Sequence, residues 1–365
     1  MIRYMGFILL SGLLAGCSGD AGDDGFAGLA GLERGGGANA SAEVDYLQPG
    51  PETSLNFPED FGPHPQHRIE WWYLTANLKT ESGEPLGLQW TQFRQALQPR
   101  AKAESAPAAA DWPLQAAWMA HAAVSWRGSH HFAEKLARGD IGHAGATAVP
   151  FQVWLDNWRL SGQPDSNLWR LQVSDDDLSY DLTLRIKGAP IGHGEQGFSA
   201  KSAGGEGSMY FSLVDIAITG EVTMNNETLA VSGKGWFDRE WSSQLLKTGQ
   251  KGWDWFALHL DSGDKLMAFR LRDDSGSFRS GTWIPAEGTP APLTADKLNL
   301  KMLETREGVP VRWQLRVPAY QVNLELLAPP GNYTNPGLYP YWESAVDISG
   351  SHQGVGYMEL TGYSD

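Results

Sequence analysis

Residues 71–88 read WWYLTANLKTESGEPLGL, and residues 253–269 read WDWFALHLDSGDKLMAF. Each is an aromatic-rich run of β-formers, an acidic Ser-Gly turn, and a second apolar run. That pattern is a β-hairpin: strand formers flank a short polar segment whose glycine lets the chain reverse. One such hairpin in each half of the chain points to two domains of one architecture. Convergence on a common hairpin is the plain alternative.

Outward from the first hairpin, strand patterns recur at 118–126, 151–160, 169–173, 180–186, 209–218 and 221–224, and Asn225-Asn226 turns the chain into 228–234. Outward from the second they recur at 277–284, 298–305, 311–317, 321–327, 342–348 and 356–363. One short helix is predicted near 132–138. Short strands joined by turns, with no interleaved helices, make an all-β chain of barrels or sandwiches and exclude βαβ units.

Bulk properties narrow the function. The 365 residues are enough for two ordinary domains. A net charge of -15 argues against a general nucleic-acid binder, which needs a basic footprint. Sixteen tryptophans among many glycines and prolines suit barrels with aromatic-lined interiors. At the N-terminus, Arg3 precedes the apolar run MGFILLSGLLAG, which ends at Cys17, the sole cysteine. The run is short for a transmembrane helix and has the layout of a secretory signal. Its ending resembles a bacterial lipoprotein signal with Cys17 as the lipidated residue; an ordinary signal peptide is the alternative. A single cysteine rules out an internal disulfide and a cysteine-based metal site. Ser18 in place of Asp implies outer-membrane sorting, so the expected location is its periplasmic face, with the membrane reached through the lipid. Residues 18–48, rich in Gly, Ala, Ser and Asp, read as a flexible tether. Two domains are then expected at 49–232 and 233–365.

The chemistry-bearing residues fall in two clusters. Residues 233–260, GKGWFDREWSSQLLKTGQKGWDWFALHL, set Asp238, Arg239 and Glu240 within a frame of Trp236, Trp241, Trp253 and Trp255. Charged groups are seldom buried unpaired, and such a mixture suits the wall of an apolar pocket with a few polar groups. In a strand Asp238 and Glu240 share one face, with Arg239, Phe237 and Trp241 on the other. Two close carboxylates raise one pKa and make a general acid near neutrality. The alternative is a charge network in which Arg239 pins the domain junction. The second cluster is His67-Arg68-Ile69-Glu70-Trp71-Trp72-Tyr73. Glu70 beside Trp72 is expected either as an acid raised by an apolar cavity or as the partner of Arg68 or Arg94. His121 lies between Ala120 and Ala122, which leaves room for a ligand or simply for a core histidine. No HExxH, GxSxG or phosphate-loop pattern occurs, so neither a metal nor a cofactor is expected.

EWWYLTANL, AHAAVSW, KGWFDREW, GWDWFALHL, YPYWESAVDISG and GVGYMELTGY occur in this order over roughly 60–364. Together they resemble the carotenoid 1,2-hydratase family and its AttH-type, lipocalin-like relatives, which are often labelled predicted secreted hydrolases. The resemblance implies two tandem lipocalin-like antiparallel β-barrels with a groove near their contact. It implies catalytic or ligand roles at His67, Glu70, Trp71, Tyr73, His121, Asp238, Arg239, Glu240 and Trp241, and it keeps Tyr210 and Ser212 of a Tyr-Tyr-Ser pattern. The implied reaction is acid-catalysed hydration of a C=C bond in an apolar isoprenoid. Asp238 or Glu240 would donate the proton, Trp72, Trp236 or Trp241 would face the cation, and His121 or Glu70 would handle the water. A carrier of apolar molecules and an assembly factor are the non-enzyme alternatives.

Overall fold

The computed structural model describes residues 46–97, 99, 116–139, 142–163, 166–244, 249–274 and 276–363. The expected signal sequence, Cys17 and nearly all of the expected tether lie outside these residues. Among those described there are two 3-10 turns and no α-helix; all other regular structure is β.

The first sheet contains β1 (Ile69–Thr80), β2 (Pro85–Ala96), β3 (Ala116–Trp126), β4 (Ser129–Arg138), β5 (Ala144–Thr147), β6 (Gln152–Leu155), β7 (Trp158–Gly162), β8 (Leu168–Ser174), β9 (Leu178–Ile186), β10 (Ile191–Gly192), β11 (Phe198–Ala200), β12 (Gly207–Met224) and β13 (Glu227–Ser242). Its path runs β4-β3-β2-β1-β13-β12-β9-β8-β7-β6-β5. The second contains β14 (Gln250–Leu260), β15 (Lys265–Asp273), β16 (Gly276–Ile284), β17 (Ala291–Leu293), β18 (Asn299–Arg306), β19 (Val309–Val317), β20 (Val322–Leu327), β21 (Thr334–Asn335), β22 (Tyr341–Gly350) and β23 (Gly354–Leu360). Its path runs β17-β16-β15-β14-β23-β22-β20-β19-β18. These are two tandem, curled antiparallel sheets of lipocalin-like form.

Alternation along the strands explains the curl. On β1, Trp72, Leu74, Ala76 and Leu78 point to one side and join Leu88, Trp90, Ala122, Val153, Leu171 and Phe237 in the interior of the first barrel. The two ends of that sheet approach each other, and Lys135 on β4 lies 5.2 Å from the ring of Trp158 on β7. The second sheet closes likewise around Phe256, Leu315 and Trp313. A third apolar layer, with Tyr73, Tyr210, Trp236, Trp255, Met267 and Tyr357, lies between the outer faces of the two barrels.

Both hairpins read from the sequence are present, β1–β2 and β14–β15, and their outward aromatics meet: the rings of Tyr73 and Trp255 are 5.4 Å apart. Asn225 and Asn226, both at positive φ, form the expected turn between β12 and β13. Two expectations need correction. The helix predicted near 132–138 is strand β4, which pairs along β3 because its partner offers a full ladder and an isolated short helix has no such support. The boundary set at 233 falls inside β13, whose residues 233–242 pair with both β1 and β12, so the break between sheets lies after Ser242.

Candidate functional site

A cleft of about 340 Å³ opens between the barrels. Trp71, Tyr73, Tyr210, Asp238 and Glu240 come from the first barrel, and Trp253, Trp255, Phe269 and Glu359 from the second. The register explains the convergence. Glu134, His121, Thr91, Tyr73, Asp238 and Ser212 are opposite one another on β4, β3, β2, β1, β13 and β12, a polar row across one face of the sheet. Glu343, Glu359, Trp255 and Phe269 form the facing row on β22, β23, β14 and β15.

Asp238 is the raised acid of the first wall. It is 3% exposed. Tyr210 Oη donates to its Oδ2 at 2.7 Å, Trp236 Nε1 donates to its Oδ1 at 2.7 Å, and the Ser212 hydroxyl also donates to Oδ1. Burial lifts its pKa from 3.8 to about 7; the three donors oppose the rise and Glu240 adds to it. Trp255 Nε1 donates to Tyr210 Oη at 3.0 Å, so the second barrel fixes the phenol that holds this carboxyl. Behind Ser212 stands His193, wholly buried, with Nε2 2.6 Å from Ser212 Oγ and Nδ1 2.8 Å from Thr282 Oγ1. Burial, with Lys201 adding to it, brings His193 down to about 3 and keeps it neutral. With Ser212 donating to Asp238, His193 donates from Nε2 and accepts from Thr282.

Glu240 also faces the cleft. Lys201 Nζ pairs with its Oε1 at 2.9 Å, and Ser208 donates to the same oxygen. Lys201 lies 5.1 Å from the ring of Tyr210 and 4.5 Å from that of Phe269, which closes one edge of the cleft. Thr91 Oγ1 is buried in the lining and has no hydrogen-bond partner among the described residues. It is suited to hold a small polar group.

Several residues singled out in the sequence have other roles, and Glu70, though it touches the cleft, is one of them. Glu70 is not a raised acid. Arg94 Nε pairs with it at 2.8 Å and Arg239 Nη2 closes on its other oxygen, so the two guanidiniums outweigh burial and hold it well below the carboxylate range. Arg239 lies beneath Trp72 at 4.0 Å and donates to Gly62 O at 2.6 Å, which ties the lead-in segment across the barrel mouth. Trp241 stacks on His64 at 3.7 Å, outside the cleft, and Trp72 belongs to the barrel interior. His67 is buried against Ser243 and lowered to about 4 by burial. His121 is on the polar row, but three strand spacings separate it from Asp238, about 14 Å. It contacts Glu134 and Tyr341 instead. Of the proposed ligand residues, Trp71, Tyr73, Tyr210, Trp253 and Trp255 line the cleft, and Trp236 holds Asp238 from behind. His193, Lys201, Thr91, Glu343 and Glu359 also belong to the site, and none of them falls in the two clusters read from the sequence. Glu359 has a sequence signal: GYMEL alternates so that Glu359 shares a face with Tyr357.

Fold and site together define the class: a tandem lipocalin-like barrel protein with an acid-bearing aromatic cleft at the barrel contact. The chain belongs to the AttH-like family, whose family model matches residues 48–363. It is similar to an AttH-type protein of Nitrosomonas europaea at 30% identity, with a TM-score of 0.78, covering 87% of this chain and 100% of that one. It shares the fold of kievitone hydratase from Nectria haematococca at 17% identity and a TM-score of 0.65, covering 88% of this chain and 98% of the other. It also shares the fold of CghA at 14% identity and a TM-score of 0.53, covering 88% and 97%. No curated protein matches the chain by sequence.

Proposed function

We propose that the cleft binds an apolar, isoprenoid- or polyene-like molecule and adds water across one of its C=C bonds, with Asp238 as the proton donor. The observation that carries this reading is a buried carboxyl at about 7 in an aromatic cleft. An acid with that value is partly protonated at neutral pH and can still give the proton up. A carbocation formed beside it would face the rings of Trp71, Tyr73, Trp253 and Trp255, which stabilise positive charge through their π faces. The step balances simply. The alkene π pair takes the Asp238 proton to form a C–H bond, water closes on the cation, and the water sheds a proton to an acceptor in the cleft. Hydration is a reaction named for one protein of this fold, kievitone hydratase. A carrier needs no perturbed acid in its cleft, and the Asp238 environment favours the enzyme.

The lipid anchor at Cys17 belongs to the same proposal: it would hold the barrels at the periplasmic face of the outer membrane. Loss of membrane fractionation in Cys17→Ala tests it, and an unchanged fractionation rejects it. For the activity, the chain without residues 1–17 is purified from its native envelope and analysed by native mass spectrometry with lipid extraction. A co-purifying isoprenoid is then assayed for a product heavier by one water. Turnover lost in Asp238→Asn supports the acid; unchanged turnover in that variant sinks it.

A further inference from the structure

The second wall carries an acid centre that the step above leaves unused. Glu343 and Glu359 stand opposite one another on β22 and β23, so their carboxyls project to the same side. Tyr73 reaches them from the other barrel: its hydroxyl donates to Glu343 Oε2 and acts on the neighbouring Glu359 as well. Two carboxyls that face each other out of water repel when both are ionised, so the pair is expected to hold one proton between them. Asn335 Nδ2 donates to Glu343 Oε1 at 2.7 Å, and Trp253 Nε1 donates to Glu359 Oε1 at 2.6 Å. Glu343 is wholly buried, whereas Glu359 is half-buried and faces the cleft. Tyr73, Tyr341, Tyr357 and Tyr180 surround Glu343, and Tyr73 and Glu240 act on Glu359. Burial raises both carboxyls, and proximity of like charges adds to it.

From Glu343 a hydrogen-bonded chain leads outward. Tyr341 bonds Glu343, its Oη is 3.1 Å from His121 Nδ1, and His121 Nε2 is 2.9 Å from Glu134 Oε2. The His121 side chain is fully buried and that of Glu134 is 21% exposed, so the chain ends at solvent. Its donors can all point the same way: Glu343 to Tyr341, Tyr341 to His121 Nδ1, and His121 Nε2 to Glu134.

We propose that Glu359 is a second catalytic residue, the acceptor of the proton shed by the attacking water, and that Tyr73, Glu343, Tyr341, His121 and Glu134 are its proton path to the surface. This use rests on the hydration reading. A proton shift from Glu359 through Tyr73 to Glu343 leaves Glu359 as a carboxylate facing the cleft. When water adds to the cation, one O–H bond breaks and its proton goes to Glu359. The pair now holds two protons and releases one through Tyr341, His121 and Glu134. Asp238 recovers one from solvent, and the net change is one added water.

The test has a part that needs no substrate. Infrared spectra of the folded chain are taken at about pH 8, where an ordinary glutamate is fully ionised. Wild type is expected to keep a protonated-carboxyl C=O band, Asp238→Asn to keep it, and Glu343→Gln to lose it. The shift of that band on transfer to D₂O is expected to slow in His121→Phe and not in the control His352→Phe, which lies off this path. Absence of the band in wild type, or its survival in Glu343→Gln, overturns the shared proton. With a polyene that wild type hydrates, Glu359→Gln is expected to lose turnover while binding persists, with partial rescue in Glu359→Asp. Full turnover in Glu359→Gln removes the catalytic assignment and leaves Asp238 untouched. A proton centre that behaves as expected in a protein that hydrates no polyene would retire the hydration reading and leave the centre standing.

Discussion

Asp238→Asn should make the protein more stable at neutral pH and not at acid pH. An unfolded aspartate ionises at the ordinary 3.8, whereas Asp238 in the fold ionises at about 7. Between those values the folded chain binds the proton and the unfolded chain does not, so stability falls as pH rises. Below the unfolded value both forms are protonated and the cost vanishes; above about 7 it is constant. At about 1.4 kcal/mol per pH unit, the full cost of keeping this carboxylate buried is ~4 kcal/mol. The asparagine removes the titration. It also disturbs the donors, since an amide nitrogen would meet Tyr210 Oη where Oδ2 now accepts, a roughly constant loss of about 1–2 kcal/mol. The assay is urea unfolding of both proteins from about pH 4 to pH 8. The difference between variant and wild type cancels the other titrating groups. It should climb toward the variant by ~4 kcal/mol across that range and then level. A difference that stays flat with pH would refute the buried-acid assignment and, with it, the proton donor.

Three further outcomes follow from the geometry. Glu70→Gln leaves Arg94 and Arg239 without their buried counter-charge and should cost about 3–5 kcal/mol in urea unfolding, while the pH dependence assigned to Asp238 persists. In wild type the Glu70 contribution is present above the ordinary glutamate value and is lost as pH falls below it, the reverse of Asp238. His193, at about 3, should remain neutral with its proton on Nε2 at about pH 5, where an ordinary histidine is charged; ring ¹⁵N shifts report this, and a charged ring would break the Ser212 argument. Trp253→Ala removes one face of the cleft and the Glu359 donor together, and should weaken polyene binding about tenfold or more by tryptophan quenching, with secondary structure unchanged.

The sequence made the strands and the outward aromatics legible because both depend on local alternation. The pairs Trp71/Tyr73 and Trp253/Trp255 occupy corresponding positions of the two echoing hairpins, and both reach the cleft. The face assignment of Asp238, Arg239 and Glu240 followed from the same rule and matches the structure. What alternation cannot supply is the partner on another strand. Glu70 and Asp238 each sit beside tryptophans in sequence, yet one is depressed by two guanidiniums and the other is raised by burial. The difference comes from Arg94, opposite Glu70 on β2, against Ser212, opposite Asp238 on β12. His193 is not legible because it follows the two-residue strand β10, too short to show a hydrophobic period, and Glu343 because its partner Tyr73 is far away in the chain.

The same contacts explain why the chemistry lies between the barrels and not inside them. Each barrel fills most of its own interior with side chains such as Trp72, Trp90 and Trp313, and the acids on those inner faces, Glu70 and Asp254, are held by arginines. An isolated barrel would present Tyr73, Asp238 and Thr91 to water, where a carboxyl keeps its ordinary pKa. Covering that face with β14, β15, β22 and β23 desolvates it, and the same act brings Trp255 to Tyr210 and Glu343 to Tyr73. Desolvation and positioning therefore come from one interface. A substitution that loosens the contact without touching an acid, such as Asn77→Leu, which removes the bond from Nδ2 to Gly356 O at 2.8 Å, should lower the Asp238 pKa toward 3.8 and depress turnover together. Turnover that falls while the pH dependence of stability is unchanged would mean that the barrels position the acids but do not tune them.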